Sequence, residues 1–306
     1  LIHPKFNIIS KNKAHKNFNF KKNFYFTFYI GGGGDLKILN KLLINVTKIE
    51  GLKKCKFLVI VGLFAKNKHL IKKLSEKNKS IELFESGKNI NFVIKNSNFF
   101  IGSAGTALFE TAYFKTPSMM LRLASNQSAS SDSLEIIGHY FYHDVKDLKE
   151  TKKVINLLIT IKKNYPRIKK MFHQSKLKVD NLGSKRIINK ILNKKINENS
   201  KIKINKKKMS QNFSINKVQD TDINHYLKSR NLKINRKNSS NMKLIKKLDH
   251  YDWWFKTNRK SYLLTKGEKK ILYFYKEKLF SFNNKIFYLS GWFACTKDCE
   301  ARDILY

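Results

Sequence analysis

The chain has 306 residues, of which 42% are apolar and 13% aromatic, and its formal net charge is +41 at pH 7. This length and apolar content suit two domains with their own cores, whereas the longest apolar run, residues 57–65, is far too short to cross a membrane. The charge invites a nucleic-acid partner, but Lys, Asn, Ile and Phe, all encoded by A/T-rich codons, are abundant together throughout the chain, so codon bias explains the charge better.

Cysteine and histidine usage argues against disulfides and metal sites. Cys55, Cys295 and Cys299 form no CxxC pair and no zinc-ligand spacing, and a sparse, odd count is typical of a reducing compartment. The histidines form no ligand pattern such as HExxH, so we expect neither a metal nor a cofactor. No signal-peptide pattern is present, and we expect a cytoplasmic protein whose natural N-terminus precedes Leu1.

The first part of the chain alternates strand and helix patterns. Aromatic and β-branched residues 24–30 predict a strand, residues 31–35 (GGGGD) a turn, and residues 36–48 a helix. The same alternation predicts further strands at 56–62, 80–84, 99–102, 118–123 and 139–144, and further helices at 67–76, 89–97, after Thr106, at 127–138 and at 146–192. This order predicts an open parallel α/β sheet, in which ligands bind at the carboxyl ends of the strands.

Small residues follow two of the predicted strands. Ser103, Gly105 and Thr106 stand where a strand passes into a helix, and such a helix start offers free N–H groups and a positive dipole end to a phosphate. Thr106 alternatively serves only as the helix N-cap. Gly32 and Gly33 either let a phosphate approach the backbone or simply close a tight turn.

Polar side chains near these turns extend the candidate site. Glu110, one helical turn after Thr106, is placed to accept hydrogen bonds from ribose hydroxyls; the alternative is a surface glutamate stabilised by the helix dipole. Asn126 and Gln127 follow the next strand, and they either bond sugar hydroxyls or acetamido groups or only end the strand. Because all these segments follow parallel strands, we expect them to converge on one edge of the sheet.

Residues 98–127 resemble the second domain of GT-B enzymes that act on UDP-sugars, above all the hydrolases of UDP-2,4-diacetamido-2,4,6-trideoxy-β-L-altropyranose in pseudaminic acid biosynthesis. That family shows the pattern GGT-x-x-W-E … G-x-P-S … NQ, which is matched here by Ala104-Gly105-Thr106, Phe109-Glu110, Thr116-Pro117-Ser118 and Asn126-Gln127. This chain departs from the pattern at Ala104, Phe109 and Thr116.

The resemblance covers residues 1–195 and implies the Rossmann-like C-terminal half of a GT-B fold with a UDP-sugar substrate. The substrate-binding residues it implies are Gly32, Gly33, Asp35, Ser103, Gly105, Thr106, Glu110, Asn126 and Gln127. A more distant similarity to the lipid II-forming N-acetylglucosaminyltransferase keeps a GT-B glycosyltransferase open as the alternative. The family's catalytic histidine lies in an N-terminal domain that no residues here match, so we expect this sequence to be a fragment that binds nucleotide and is inactive alone.

The rest of the chain predicts a basic linker at 193–211 and a second domain at 212–306. The second domain resembles the GNAT acetyltransferases, an α+β fold, through residues 213–215, Arg230-Asn231, Arg236 and residues 250–255 (HYDWWF). Strands are predicted at 261–264, 270–275 and 286–293, and we expect this domain to be incomplete. Residues 296–302, where the family has a glycine-rich pyrophosphate loop, hold no glycine, which argues against acetyl-CoA binding. His250 with Trp253 and Trp254 predicts an aromatic core corner, with an acceptor groove as the alternative.

Overall fold

The computed structural model describes residues 18–85, 90–127, 131–192, 212–283 and 285–296. The chain forms two compact units, residues 1–197 and residues 198–306. The predicted linker at 193–211 and the predicted loop at 297–302 lie outside the described residues. No helix in the part of the chain that the structure describes is long and apolar enough to cross a membrane.

The first unit is built on a six-stranded sheet in which every pairing is parallel. This confirms the predicted α/β class with a Rossmann-like sheet. The strand order is β3-β2-β1-β4-β5-β6, the order found in doubly wound nucleotide-binding folds. The strands are β1 (Phe24–Tyr29), β2 (Cys55–Val61), β3 (Ile81–Glu85), β4 (Phe99–Ser103), β5 (Ser118–Arg122) and β6 (Phe141–Asp144).

Helices cover both faces of this sheet. The helices of the first unit are α1 (Lys37–Val46), α2 (Lys68–Lys77), α3 (Ile90–Asn96), α4 (Ala107–Phe114), α5 (Ser131–Glu135), α6 (Thr151–Lys163), α7 (Tyr165–His173) and α8 (Gly183–Ile191), of which α8 buries no side chain. The chain moves from β1 towards β3 and then from β4 towards β6, so right-handed crossovers place the two sets of helices on opposite faces. The packing agrees, because α1 contacts α2 and α6, whereas α3 contacts α4.

The alternation of β1, FYFTFY, explains why this strand is central. Phe26 stacks on Phe57 of β2 with ring centroids 6.0 Å apart and meets Phe99 of β4 edge-on, on the face that α7 covers. Tyr25 points to the other face and packs in a cluster with Val93 and other residues of α3 and α4. A strand buried on both faces needs mostly apolar bulk, which the aromatic residues supply, and the buried hydroxyl of Thr27 is hydrogen-bonded to Ser97 Oγ at 2.6 Å.

Two predicted helices differ from the structure. The helical stretch predicted at 146–192 is interrupted: a 3-10 turn at Val145–Lys149 is followed by α6, α7 and α8, with the non-helical residues 174–182 between α7 and α8. Asp144 and Asp147 form a capping box that starts the 3-10 turn, and the ring of Pro166 lies in the first turn of α7, where it begins a new helix instead of continuing α6. The helix predicted at 127–138 is shorter, because Ser125–Gln127 is a 3-10 turn, residues 128–130 are outside the described residues, and Gly138 has a φ of +103°.

His139 is part of the core of the first unit. Its Nε2 lies 2.7 Å from the carbonyl oxygen of Leu108, to which it donates, and its Nδ1 lies 2.7 Å from Ser118 Oγ, from which it therefore accepts. Complete burial lowers the pKa of this imidazole to about 4. The imidazole of His139 is thus a neutral, hydrogen-bonded part of the core.

The second unit is of the α+β class. Its four-stranded antiparallel sheet has the order β10-β9-β8-β7, with β7 (Phe213–Lys217), β8 (Lys260–Lys266), β9 (Lys269–Phe282) and β10 (Lys285–Ala294), and its helices are α9 (Ile223–Arg230), α10 (Lys233–Lys237) and α11 (Lys247–Lys256). His250 is buried in an aromatic cluster as predicted, with Nε2 2.9 Å from the Ile223 carbonyl oxygen and its pKa lowered by burial to about 4. The GNAT resemblance stays a prediction.

Candidate functional site

The sheet of the first unit has one point where neighbouring strands send the chain to opposite faces. β1 and β4 lie side by side, with Tyr29 opposite Gly102 at their carboxyl ends. After β1 the chain enters the glycine turn (residues 31–34) and then α1 on one face, whereas after β4 it enters the small-residue turn (residues 103–106) and then α4 on the other. A crevice between diverging loops is the usual ligand position in such sheets. The two turns predicted from the sequence therefore border one crevice.

The glycine turn is held in shape by the β2–α2 loop (residues 62–67). The N–H of Phe64 donates to the Gly32 carbonyl oxygen at 2.8 Å, and the N–H of Lys66 donates to the Gly34 carbonyl oxygen at 3.0 Å. A methyl group on Gly62 would lie 2.5 Å from the carbonyl oxygens of both Gly31 and Gly32, so only glycine permits this close approach. Gly32 itself faces open space, where nothing lies within 4 Å of an added methyl group.

The small-residue turn brings a hydroxyl and several N–H groups into the same crevice. Ser103 Oγ lies 3.5 Å from where a methyl group on Gly31 would stand and 3.7 Å from one on Gly105, so the hydroxyl lies between the two turns. The N–H groups of Gly105, Thr106 and Ala107 donate to no acceptor among the described residues. Thr106 occupies the N-cap position of α4, but its side chain makes no capping hydrogen bond. These donors remain available to an anion.

Glu110 lies in the first turn of α4 and is only partly exposed. Burial raises the pKa of its carboxyl group. The pKa of Tyr29, the last residue of β1, is also raised, first by burial and then by the charge of Glu110, which places the carboxylate near the crevice side of β1. Glu110 is therefore a partly desolvated carboxylate of the first turn of α4 rather than a fully solvated surface residue.

Asp35 and Gln127 are both engaged in holding loops. Asp35 Oδ1 accepts from the N–H of Lys37 at 2.9 Å and from Asn67 Nδ2 at 2.7 Å, and these bonds hold the pKa of its carboxyl below the usual value. Asp35 thus starts α1 and ties it to α2. Gln127 Oε1 accepts from the N–H of Leu123 at 2.9 Å, while its Nε2 faces Gly105, 3.9 Å from an added methyl group.

Asn126 differs from the other predicted residues in its surroundings. It lies in the 3-10 turn Ser125–Gln127 and is exposed. The structure brings Gly32, Gly33, Ser103, Gly105, Thr106, Glu110 and Gln127 around the crevice. It places Asn126 at the rim, and it gives Asp35 hydrogen bonds that shape the backbone.

A cavity of about 740 Å³ adjoins the crevice on the α1 side of the sheet. Its apolar part comes from the carboxyl ends of β1 and β5 and from the segment after β6, and lysines stand around it. The lining residues are Ile30, Gly34, Asp35, Lys37, Ile38, Lys41, Leu123, Val145, Leu148, Lys149 and Thr151. Leu123 connects the two spaces, because its Cδ1 lies 3.9 Å from a methyl group added to Gly31. Most of these residues were not predicted from the sequence, although the rule that ligands bind after parallel strands applies to Val145 and Leu148 as well.

The second unit has a smaller cavity of about 310 Å³, bordered by His250 and Trp253 together with Tyr226, Arg230, Asn241, Ile245, Asp249 and Arg259. His250 therefore belongs to the aromatic core and also touches this space. Among the described residues, no group of three or more His, Cys, Asp or Glu side chains is arranged to hold a metal ion.

No protein-family model and no curated protein matches this chain. Solved structures with some similarity include TarM (13% identity, 61% of this chain and 37% of that chain, TM-score 0.40), MnaA of S. aureus with UDP (18%, 57% and 48%, 0.39) and the glycotransferase of kitacinnamycin (13%, 60% and 47%, 0.39). The chain spans less than half the length of these structures. At such TM-scores and identities the similarities do not assign a function.

Proposed function

We propose that the first unit is the UDP-sugar-binding half of a GT-B enzyme. One observation carries the proposal: the glycine turn and the small-residue turn follow the adjacent strands β1 and β4, and the N–H groups of residues 31–34 and 105–107 donate to no acceptor that the structure describes. A diphosphate is the ligand that suits two such turns, because each phosphate accepts hydrogen bonds from free N–H groups at a helix start.

The surrounding side chains suit the rest of a nucleotide-sugar. Glu110 is positioned to accept hydrogen bonds from the two ribose hydroxyls, and its partial burial makes each such bond stronger than it would be in bulk water. Ser103 Oγ and Gln127 Nε2 face the space between the turns and supply donors to a phosphate or a sugar. The adjoining cavity of about 740 Å³ has room for a sugar ring with its substituents.

The reaction we propose for the intact enzyme is hydrolysis of a UDP-sugar in nonulosonic acid biosynthesis, on the resemblance of residues 98–127. Hydrolysis needs a positioned water, a general base and stabilisation of the charge that develops on the leaving UDP. This unit supplies the last of these, and we assign the catalytic base to no residue here. A GT-B glycosyltransferase with the same donor site has equal support, and incorporation of ¹⁸O from labelled water into the released sugar by the full natural polypeptide separates the two.

Isothermal titration with UDP tests the binding site. Glu110→Ala removes the proposed ribose contact, and we expect UDP affinity to fall about 10- to 100-fold, as expected for a lost hydrogen bond to a charged group. Glu76→Ala is the matched control, because Glu76 is an exposed glutamate of α2 away from the crevice. The absence of UDP binding by the unaltered protein, or equal binding by the Glu110 and Glu76 variants, would overturn the proposal.

A further inference from the structure

Two apolar side chains stand exposed beside the glycine turn. Leu63 is 69% exposed and Phe64 is 77% exposed, and Phe64 has the highest exposure of the large apolar side chains that the structure describes. Both lie in the β2–α2 loop, shortly after a strand in which Phe57–Ile60 are buried and Val61 is half-buried. The two side chains are therefore exposed because they lie in this loop, and not because β2 is poorly packed.

Hydrogen bonds hold the backbone of the loop that carries these side chains. The N–H of Phe64 is bonded to Gly32, the N–H of Ala65 donates to the Gly62 carbonyl oxygen at 3.1 Å, and Lys68 Nζ donates to the Leu63 carbonyl oxygen at 2.5 Å. Phe64 Cβ lies 4.0 Å from where a methyl group on Gly33 would stand. The aromatic side chain is thus fixed at its backbone next to the proposed phosphate position.

We propose that Phe64, flanked by Leu63, forms an apolar wall against the ring that a diphosphate ligand carries. This inference rests on the proposed function and adds a determinant of specificity to it. A diphosphate on the glycine turn puts a pyranose bonded to it next to Phe64, and a pyrimidine base lies one ribose further along; a ring with an apolar face gains from covering an exposed aromatic side chain. Two rings of a nucleotide-sugar have such a face, the pyrimidine base and the pyranose.

The inference is tested by titrating inorganic pyrophosphate, UDP and UDP-N-acetylglucosamine into the unaltered protein and three variants. Phe64→Ala removes the wall, Phe64→Tyr keeps an aromatic face, and Ile44→Ala is the control, since Ile44 is an exposed apolar residue of α1 away from the loop. We expect Phe64→Ala to leave pyrophosphate affinity unchanged and to weaken a ring-bearing ligand about 5- to 100-fold, the range found for lost stacking. Phe64→Tyr and Ile44→Ala should bind all three ligands as the unaltered protein does.

The two UDP ligands identify which ring is covered. A loss already seen with UDP assigns the wall to the nucleoside, and a loss seen only with UDP-N-acetylglucosamine assigns it to the sugar. Unchanged binding of both UDP ligands by Phe64→Ala would overturn the inference while leaving the diphosphate site in place. An equal loss of pyrophosphate binding would overturn it too, because Phe64 would then support the diphosphate site itself. If the unaltered protein binds none of the three ligands, the proposed function fails and this inference fails with it.

Discussion

Replacing Gly32 by alanine separates a role in ligand binding from a role in folding. An added methyl group at Gly32 meets nothing within 4 Å, and the φ of this residue is not in the left-handed region. The folded protein therefore accommodates alanine without a shift. Because alanine restricts the unfolded chain more than glycine does, we expect stability to stay unchanged or to rise by up to about 1 kcal/mol.

The same methyl group would stand where a phosphate approaches the turn. A phosphate oxygen held about 3 Å from a backbone N–H has no room beside a new carbon atom, so the diphosphate must move away and lose at least one charge-assisted hydrogen bond. Such a loss is worth about 1.5–3 kcal/mol, or roughly a 10- to 100-fold weaker binding of UDP.

The assay pairs urea unfolding with calorimetric titration of UDP for Gly32→Ala and for Gly51→Ala. Gly51 is a suitable control because its added methyl group meets only the side chain of Ile159, at an ordinary contact distance of 3.6 Å. Unchanged stability with weakened binding in the Gly32 variant alone is the expected result. UDP binding by Gly32→Ala at the affinity of the unaltered protein would show that no phosphate lies on the glycine turn. A loss of stability above about 1 kcal/mol would refute the inference that the folded protein has room for a methyl group at Gly32.

Three further predictions concern stability. Gly62→Ala should destabilise the first unit by about 1–3 kcal/mol, since its methyl group would lie 2.5 Å from two carbonyl oxygens, and an unchanged melting temperature would contradict this. Glu110→Gln should stabilise the unliganded protein at pH 7, because burial raises the pKa of Glu110 and its charged form opposes folding. In urea unfolding the gain should decline as the pH falls below that raised pKa and vanish below the ordinary value of 4.5. His139 and His250 have pKa values lowered to about 4, so each should add roughly 3 kcal/mol of stability that is complete above pH 6.5 and lost as the pH falls from 6.5 to 4. Their imidazole NMR signals should not titrate above pH 5, and a midpoint near pH 6.5 would refute the buried, neutral assignment.

The parallel sheet, and the edge of it at which the two turns meet, could be predicted from the sequence. Residues 24–30 and 56–62 are short, largely apolar runs, the first followed by Gly31 and the second ending in Gly62, and the structure places β1 and β2 within one residue of them. The convergence of residues 31–34 and 103–106 followed from parallel strands alone. It did not depend on knowing that β1 and β4 are neighbours.

Contacts between residues far apart in the chain could not be predicted from the sequence. A helical period continues through residues 146–192, so the pattern alone does not show the capping box at Asp144 and Asp147, although Pro166 was a signal for a break. The cavity beside α1 depends on α6 crossing back to the α1 face. The role proposed for Phe64 could not be predicted from the sequence either, because its place beside the crevice follows from its hydrogen bond to Gly32.

The hydrogen bonds that join the β2–α2 loop to the glycine turn bear on how fast a ligand is captured. Because Phe64 and Lys66 already hold Gly32 and Gly34 in the free protein, these two segments have no ordering step to complete when a diphosphate arrives. A basic protein with such a prepared turn should attract the anion from a distance and bind it in one kinetic phase. In stopped-flow experiments the observed rate should rise linearly with UDP concentration without a plateau, and raising the ionic strength should slow association far more than dissociation.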